Sequence, residues 1–127
     1  MTIKLIEVTD FSTFYNSVKN QKLSIKTAYK LTLLAKSLDT QLQFYREKLQ
    51  EIIREYAAFD ENGQPITIEN GQGIKLRDGV DMDCARAMAE LQNMEVTIPD
   101  IKFSLDEFAN VELTTTEMAS IMPFIED

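Results

Sequence analysis

The chain has no histidine, no tryptophan and a single cysteine. Without imidazole it lacks the commonest general base, and every catalytic triad or pair that depends on one is excluded. One cysteine and no histidine cannot supply the nitrogen and sulfur ligands of an ordinary zinc site. A lone thiol closes no disulfide within the chain, so a reducing compartment is the natural setting. Cys84, followed by small residues in an expected helix, reads as a packing residue. No stretch approaches the roughly 18 apolar residues of a membrane helix, and Met1 to Val8 lacks the long apolar core of a signal peptide. The expected setting is the cytosol, with no membrane partner. Internal repeats and low-complexity tracts are also missing.

Acidic residues are missing from one segment only. Between Phe11 and Leu38 there are five lysines and no acid. Residues 1–59 carry nine Lys or Arg against six Asp or Glu, a balance of +3, and residues 60–127 carry four against fifteen, a balance of −11. The net charge of −8 therefore conceals two halves of opposite sign. Lys22, Lys26 and Lys30 recur every four residues, which places them on one helical face, either solvated or offered to a partner. Base stacking wants aromatics between basic residues on an exposed sheet, whereas the aromatics here have core spacing, so nucleic acid is not the expected partner.

What the sequence does have is a heptad seam. Ala28, Leu31, Ala35, Leu38, Leu42, Tyr45, Leu49, Ile52, Tyr56 and Phe59 follow one another at spacings of three and four. They predict one helix over about 24–59, roughly 50 Å long, whose stripe needs cover from another helix of this chain or of a second copy. Leu31, Leu38, Leu42, Tyr45, Leu49, Ile52 and Tyr56 are the candidate interaction residues. Leu34 and Ile53 widen the stripe beyond a strict two-stranded coil.

Around this helix the pattern predicts smaller elements. Ile3, Leu5, Ile6 and Val8 suggest a strand, after which Thr9 or Asp10 caps a brief helix with Phe11, Phe14, Tyr15 and Val18. Ser24 is the expected N-cap of the long helix, and Asp60 to Pro65 its stop, with Gly63 suited to positive φ. Ile66–Glu69 and Ile74–Arg77 flank Asn70-Gly71-Gln72-Gly73, which predicts a β-hairpin over 66–77. A second helix, antiparallel to the first, follows over about 81–93, capped by Asp81 or Asp83. Val96 to Leu105 reads as extended. Thr114 with Glu117 forms a capping box for a C-terminal helix over about 115–122. The fold class is α+β in a single domain over 1–127.

Candidate chemistry is sparse. Asp78, Asp81 and Asp83 are the tightest acidic cluster, but the calcium-loop pattern counted from Asp78 needs glycine and glutamate where Asp83 and Ala89 stand. Helix capping is the reading adopted for them. Gly71-Gln72-Gly73 lacks the Gly-Lys-Ser/Thr ending of a phosphate loop. Met82, Met88, Met94, Met118 and Met122 read as core packing. Met118, Ile121, Met122 and Ile125 form a terminal apolar stripe able to dock in a groove of this chain or of a partner. No cofactor, metal or catalytic residue is expected, and the chain is read as a non-enzyme.

Three segments carry a resemblance: Glu55-Tyr56-Ala57-Ala58-Phe59-Asp60-Glu61-Asn62-Gly63, Glu95 to Leu105 with its Ile98-Pro99-Asp100-Ile101-Lys102-Phe103, and Leu113 to Asp127 with Glu117-Met118 and Met122-Pro123-Phe124-Ile125-Glu126. With the basic helix before them, residues 23–127 resemble a family of small uncharacterised proteins of tailed phages and prophages of Gram-positive bacteria. The resemblance implies a phage protein made in the bacterial cytoplasm, with incorporation into the virion as one destination, and supplies no active site. The function expected is a non-enzymatic accessory role through protein–protein contacts, in assembly or as a virion component. Its partner would be a second copy, giving a homo-oligomer, or a phage structural protein. The alternative is an acidic inhibitor whose half after Phe59 imitates a phosphate array and occupies a host nucleic-acid-binding or defence protein.

Overall fold

The computed structural model describes residues 1–68, 71 and 73–126. Its fold is α+β: among the described residues, five α-helices accompany small antiparallel strand pairs. In chain order these are β1 (Thr2–Lys4), α1 (Leu5–Val18), α2 (Ile25–Ser37), α3 (Asp39–Tyr56), β2 (Thr67–Ile68), β3 (Gly73–Ile74), α4 (Asp81–Asn93), β4 (Glu95–Thr97) and α5 (Thr115–Ile121). Where one domain was expected, the chain divides into two compact units, Met1–Leu42 with Met94–Asp127, and Gln43–Asn93.

The first unit holds nearly all of the core. Of the buried hydrophobic residues described, fourteen belong to it and two, Ala57 and Leu91, to the second. The N-terminal reading needs correction: the strand stops at Lys4, and Leu5 already begins a helix. Leu5, Val8, Phe11, Phe14 and Val18 recur every three or four residues and are all buried, so helical periodicity overrides the short β-like run. The Lys4 amide donates to Glu7 Oε1 at 2.9 Å, satisfying a donor that the helix start leaves open. β1 pairs antiparallel with β4, Thr2 opposite Thr97 and Lys4 opposite Glu95. Phe11 meets Phe124 edge-on at 5.3 Å, and Phe14 meets Phe108 at 5.9 Å.

The predicted helix over 24–59 is two helices and an extended tail. Leu38 sits between α2 and α3 with φ −95° and ψ −4°, and its amide is shared between the carbonyls of Leu34 and Ala35. At this junction the Ser37 hydroxyl donates back to Leu33 O at 2.8 Å, as the Thr32 hydroxyl does to Ala28 O within α2, and Asp39 opens the first turn of α3. At the other end, Ala57 and Phe59 leave the helix to make antiparallel bridges with Leu76 and Pro65, so Phe59 is not a seam residue.

In the second unit, β2 and β3 form the expected hairpin, Thr67 opposite Ile74 and Ile68 opposite Gly73. Of its predicted turn, Asn70 and Gln72 lie outside the described residues, as does Glu69 on the strand before it; Gly71 has φ 90°. Asp60 Oδ1 accepts from the amides of Asn62 and Gln64, and Gly63 has φ 76°, the left-handed geometry expected at this stop.

Candidate interaction surfaces

The seam divides at Leu38. Leu31 and Leu38 are buried in the first unit. Leu42, Tyr45, Leu49, Ile52 and Tyr56, all on α3, are half-buried, and no residue of that helix is buried. Its flanks carry both signs, with Arg46, Lys48 and Arg54 alternating with Glu47, Glu51 and Glu55, all exposed. Near its end, Tyr56 lines a small cavity of about 180 Å³ with Asp83, Arg86, Ala87 and Glu90 of α4. Burial, then the charges of Glu55 and Asp83, raises the Tyr56 phenol above its ordinary value.

The basic stripe is not a stripe. Lys22 and Lys26 are exposed, but Lys30 turns inward. Its ammonium donates to Lys102 O at 2.8 Å and Glu107 Oε2 at 3.0 Å, and lies 5.3 Å from the centre of the Phe103 ring. Lys22 precedes the Ser24 cap and so lies off the helix, and between Lys26 and Lys30 four residues overshoot one helical turn, which carries Lys30 to the Leu105–Phe108 3-10 turn. Glu107 also accepts from the Thr27 hydroxyl and the Ser104 amide. Burial pushes its carboxyl up, but these donors and the Lys30 charge outweigh it and hold the group below its ordinary value.

The outward side of α2 presents what sequence reasoning passed over. Ile25, Tyr29 and Leu33, four apart, are 89%, 67% and 42% exposed. Lys26 and Lys36 lie among them, both exposed. Beside them a groove of about 460 Å³ runs between α1 and α2, lined by Tyr15, Lys19, Lys22, Leu23, Ala28 and Leu31 among others. These apolar positions lie off the heptad seam, and their sequence pattern does not separate them from the buried Leu31 and Leu34 of the same helix.

The C-terminal stripe is mostly core. Ile121 is fully buried, Met118 and Ile125 half-buried, and only Met122 is open, at 62% exposure. The strand-like end is held by Phe103, whose amide donates to Phe124 O and whose carbonyl accepts from Glu126, both at 2.8 Å. The methionine reading also needs correction, because Met82, Met94 and Met122 are exposed. Met82 lies between Asp81 and Asp83, and Met94 between Asn93 and Glu95, all exposed, whereas Met122 points out from a segment whose Ile121 and Phe124 are buried. Asp78, Asp81 and Asp83 are exposed, the last two in the first turn of α4. Among the described residues no group of three or more Cys, Asp or Glu could hold a metal ion, and no helix is long and apolar enough to cross a membrane. Comparison with protein-family models, curated proteins and solved structures found no match to this chain.

Proposed function

We propose that this chain is a non-enzymatic phage accessory protein that acts through protein contacts, in assembly or as a virion component, and that it associates with itself through α3. One observation carries the self-association: among its described residues the second unit, Gln43–Asn93, has only Ala57 and Leu91 buried, while its amphipathic helix leaves Tyr45, Leu49, Ile52, Ile53 and Tyr56 half-covered. A unit this size ordinarily needs a larger core than two such residues supply. A second α3 supplies the missing cover. The flanks favour a second copy as the occupant, since an antiparallel pair sets Arg46 and Lys48 of one helix near Glu51 and Glu55 of the other. The phage assignment rests on the sequence resemblance alone.

The test is solution mass by light scattering coupled to size exclusion, across a salt series. A salt-insensitive oligomer that falls to the 14.5 kDa monomer in Leu49→Glu is the expected result. A monomer under all conditions overturns the self-association. It favours the second reading, an acidic inhibitor of a host protein, whose supporting observation is the set of exposed carboxylates Asp60, Glu61, Asp78, Asp81 and Asp83.

A further inference from the structure

The outward face of α2 is the least explained surface of the molecule. A soluble chain does not ordinarily leave an isoleucine, a tyrosine and a leucine aligned on one helix open to water. Ile25, Tyr29 and Leu33 do this over two turns, and the adjoining groove offers room for a partner's side chain. The charges on α2 and just before it are of one sign, Lys19, Lys22, Lys26 and Lys36, with Lys30 already engaged by Glu107 and the nearest acid in sequence, Asp39, beyond the end of the helix.

These features select the occupant. Face-to-face pairing of two α2 helices brings Lys26 and Lys36 against their own copies, which like-charge repulsion opposes. A nucleic acid would meet an apolar centre and a chain of net charge −8. What fits is an acidic surface with an apolar middle, and the chain carries one. On α4, Met82 is 77% exposed, Ala85 and Ala89 share its side of the helix, and Asp81, Asp83 and Glu90 border them together with one base, Arg86, which lies 3.8 Å from Asp83; all are exposed, and three acids against one base leave the face acidic.

We propose that α2 of one copy docks on α4 of the next, a head-to-tail contact distinct from the α3 pairing. It extends the self-association reading from one interface to two. Each copy then offers a basic face and an acidic face, and such a heterologous contact propagates into rings or open chains instead of stopping at a pair. One helix against another buries less than the about 1,200 Å² of a standard stable interface, so the contact is weak and concentration-dependent. Its charge complementarity makes it sensitive to salt, unlike the apolar α3 contact.

The experiment is light scattering over a concentration series at about 0.05 M and about 0.5 M salt, ionic strengths that differ several-fold in screening. At low salt the mass is expected to climb with concentration, and at high salt to fall back to the α3 oligomer. Lys26→Glu with Lys36→Glu is expected to abolish the climb, and so is Asp81→Lys with Asp83→Lys. An equimolar mixture of the two is expected to restore it, because each variant retains the face the other has lost. Circular dichroism checks folding; should the lysine pair unfold α4, Asp81→Asn with Asp83→Asn is expected to weaken the climb without rescue. A mass that stops at a salt-insensitive oligomer overturns this contact and leaves the α3 reading standing. A salt-sensitive climb indifferent to the α4 variants overturns it too, in favour of another acidic surface. A monomer throughout overturns both readings.

Discussion

Lys30 and Glu107, seventy-seven positions apart, meet at 3.0 Å in the first unit, with their side chains only 26% and 12% exposed. The pair joins α2 to the Leu105–Phe108 turn and sets Thr27 Oγ1 3.2 Å from the same carboxylate. Glu107 therefore gathers donors from a helix, its N-cap region and its own turn.

Replacing that carboxylate should be costly. Glu107→Gln leaves the partly buried Lys30 ammonium without its counter-charge, facing only neutral acceptors such as the Lys102 carbonyl, and a loss of about 2 kcal/mol is expected. Urea unfolding followed by circular dichroism measures it. A double-mutant cycle with Lys30→Met should show a coupling energy well above the few tenths of an exposed pair such as Lys48–Glu51.

Stability should also fall in acid, with a sign fixed by two glutamates. Glu107 and Glu117 are both held below the ordinary carboxyl value of 4.5, the latter chiefly by the Ser17 hydroxyl and then by Thr114. In the unfolded chain they titrate near 4.5, so their stabilisation is complete above that pH and disappears as pH falls through their lower folded values. The urea midpoint is expected to drop below pH 4.5, and less steeply in Glu107→Gln with Glu117→Gln. Equal slopes would assign the acid sensitivity to other carboxylates.

The C-terminus is expected to be indispensable to folding. Phe124 is fully buried against Phe11, and Phe124→Ala should cost about 3–5 kcal/mol through lost transfer energy and the cavity left behind. Truncation before Met118 removes Ile121 as well and should leave the first unit unfolded. A truncated chain with native thermal stability would return this segment to the role of a docking peptide.

If α3 completes its core with a second copy, thermal stability of the second unit should depend on protein concentration. Ile52→Glu should remove that dependence and lower the transition by mass action. The midpoint measured over a hundredfold dilution is the check.

Local signals in the sequence were readable because they act over three or four residues. The Ser24 cap accepts from the Thr27 amide, Thr114 and Glu117 bond reciprocally, and α4 spans 81–93 as its pattern indicates. Long-range choices were not readable. Nothing near Lys30 shows that a glutamate will arrive from position 107, and nothing in Ile3 or Val96 shows that they face each other. The seam misled for a related reason: its spacing continues unchanged through Leu38, although the backbone there turns out of α2 before α3 begins. For the interaction surfaces, the α3 stripe was legible as periodicity, but the α2 face was not. Only burial distinguishes Leu31 and Leu34, inside, from Ile25, Tyr29 and Leu33, outside.

The pairing of β1 with β4 joins two stretches of the first unit that residues 43–93 separate in sequence. On the ribosome this imposes a wait. Phe11, Phe14 and Leu31 emerge long before Phe103, Phe108 and Phe124, their partners in the buried core, have been translated. At about 5–20 residues per second the interval is on the order of ten seconds. Through that interval the nascent chain displays a lysine-rich, aromatic segment with nothing to cover it, a substrate suited to a ribosome-bound chaperone.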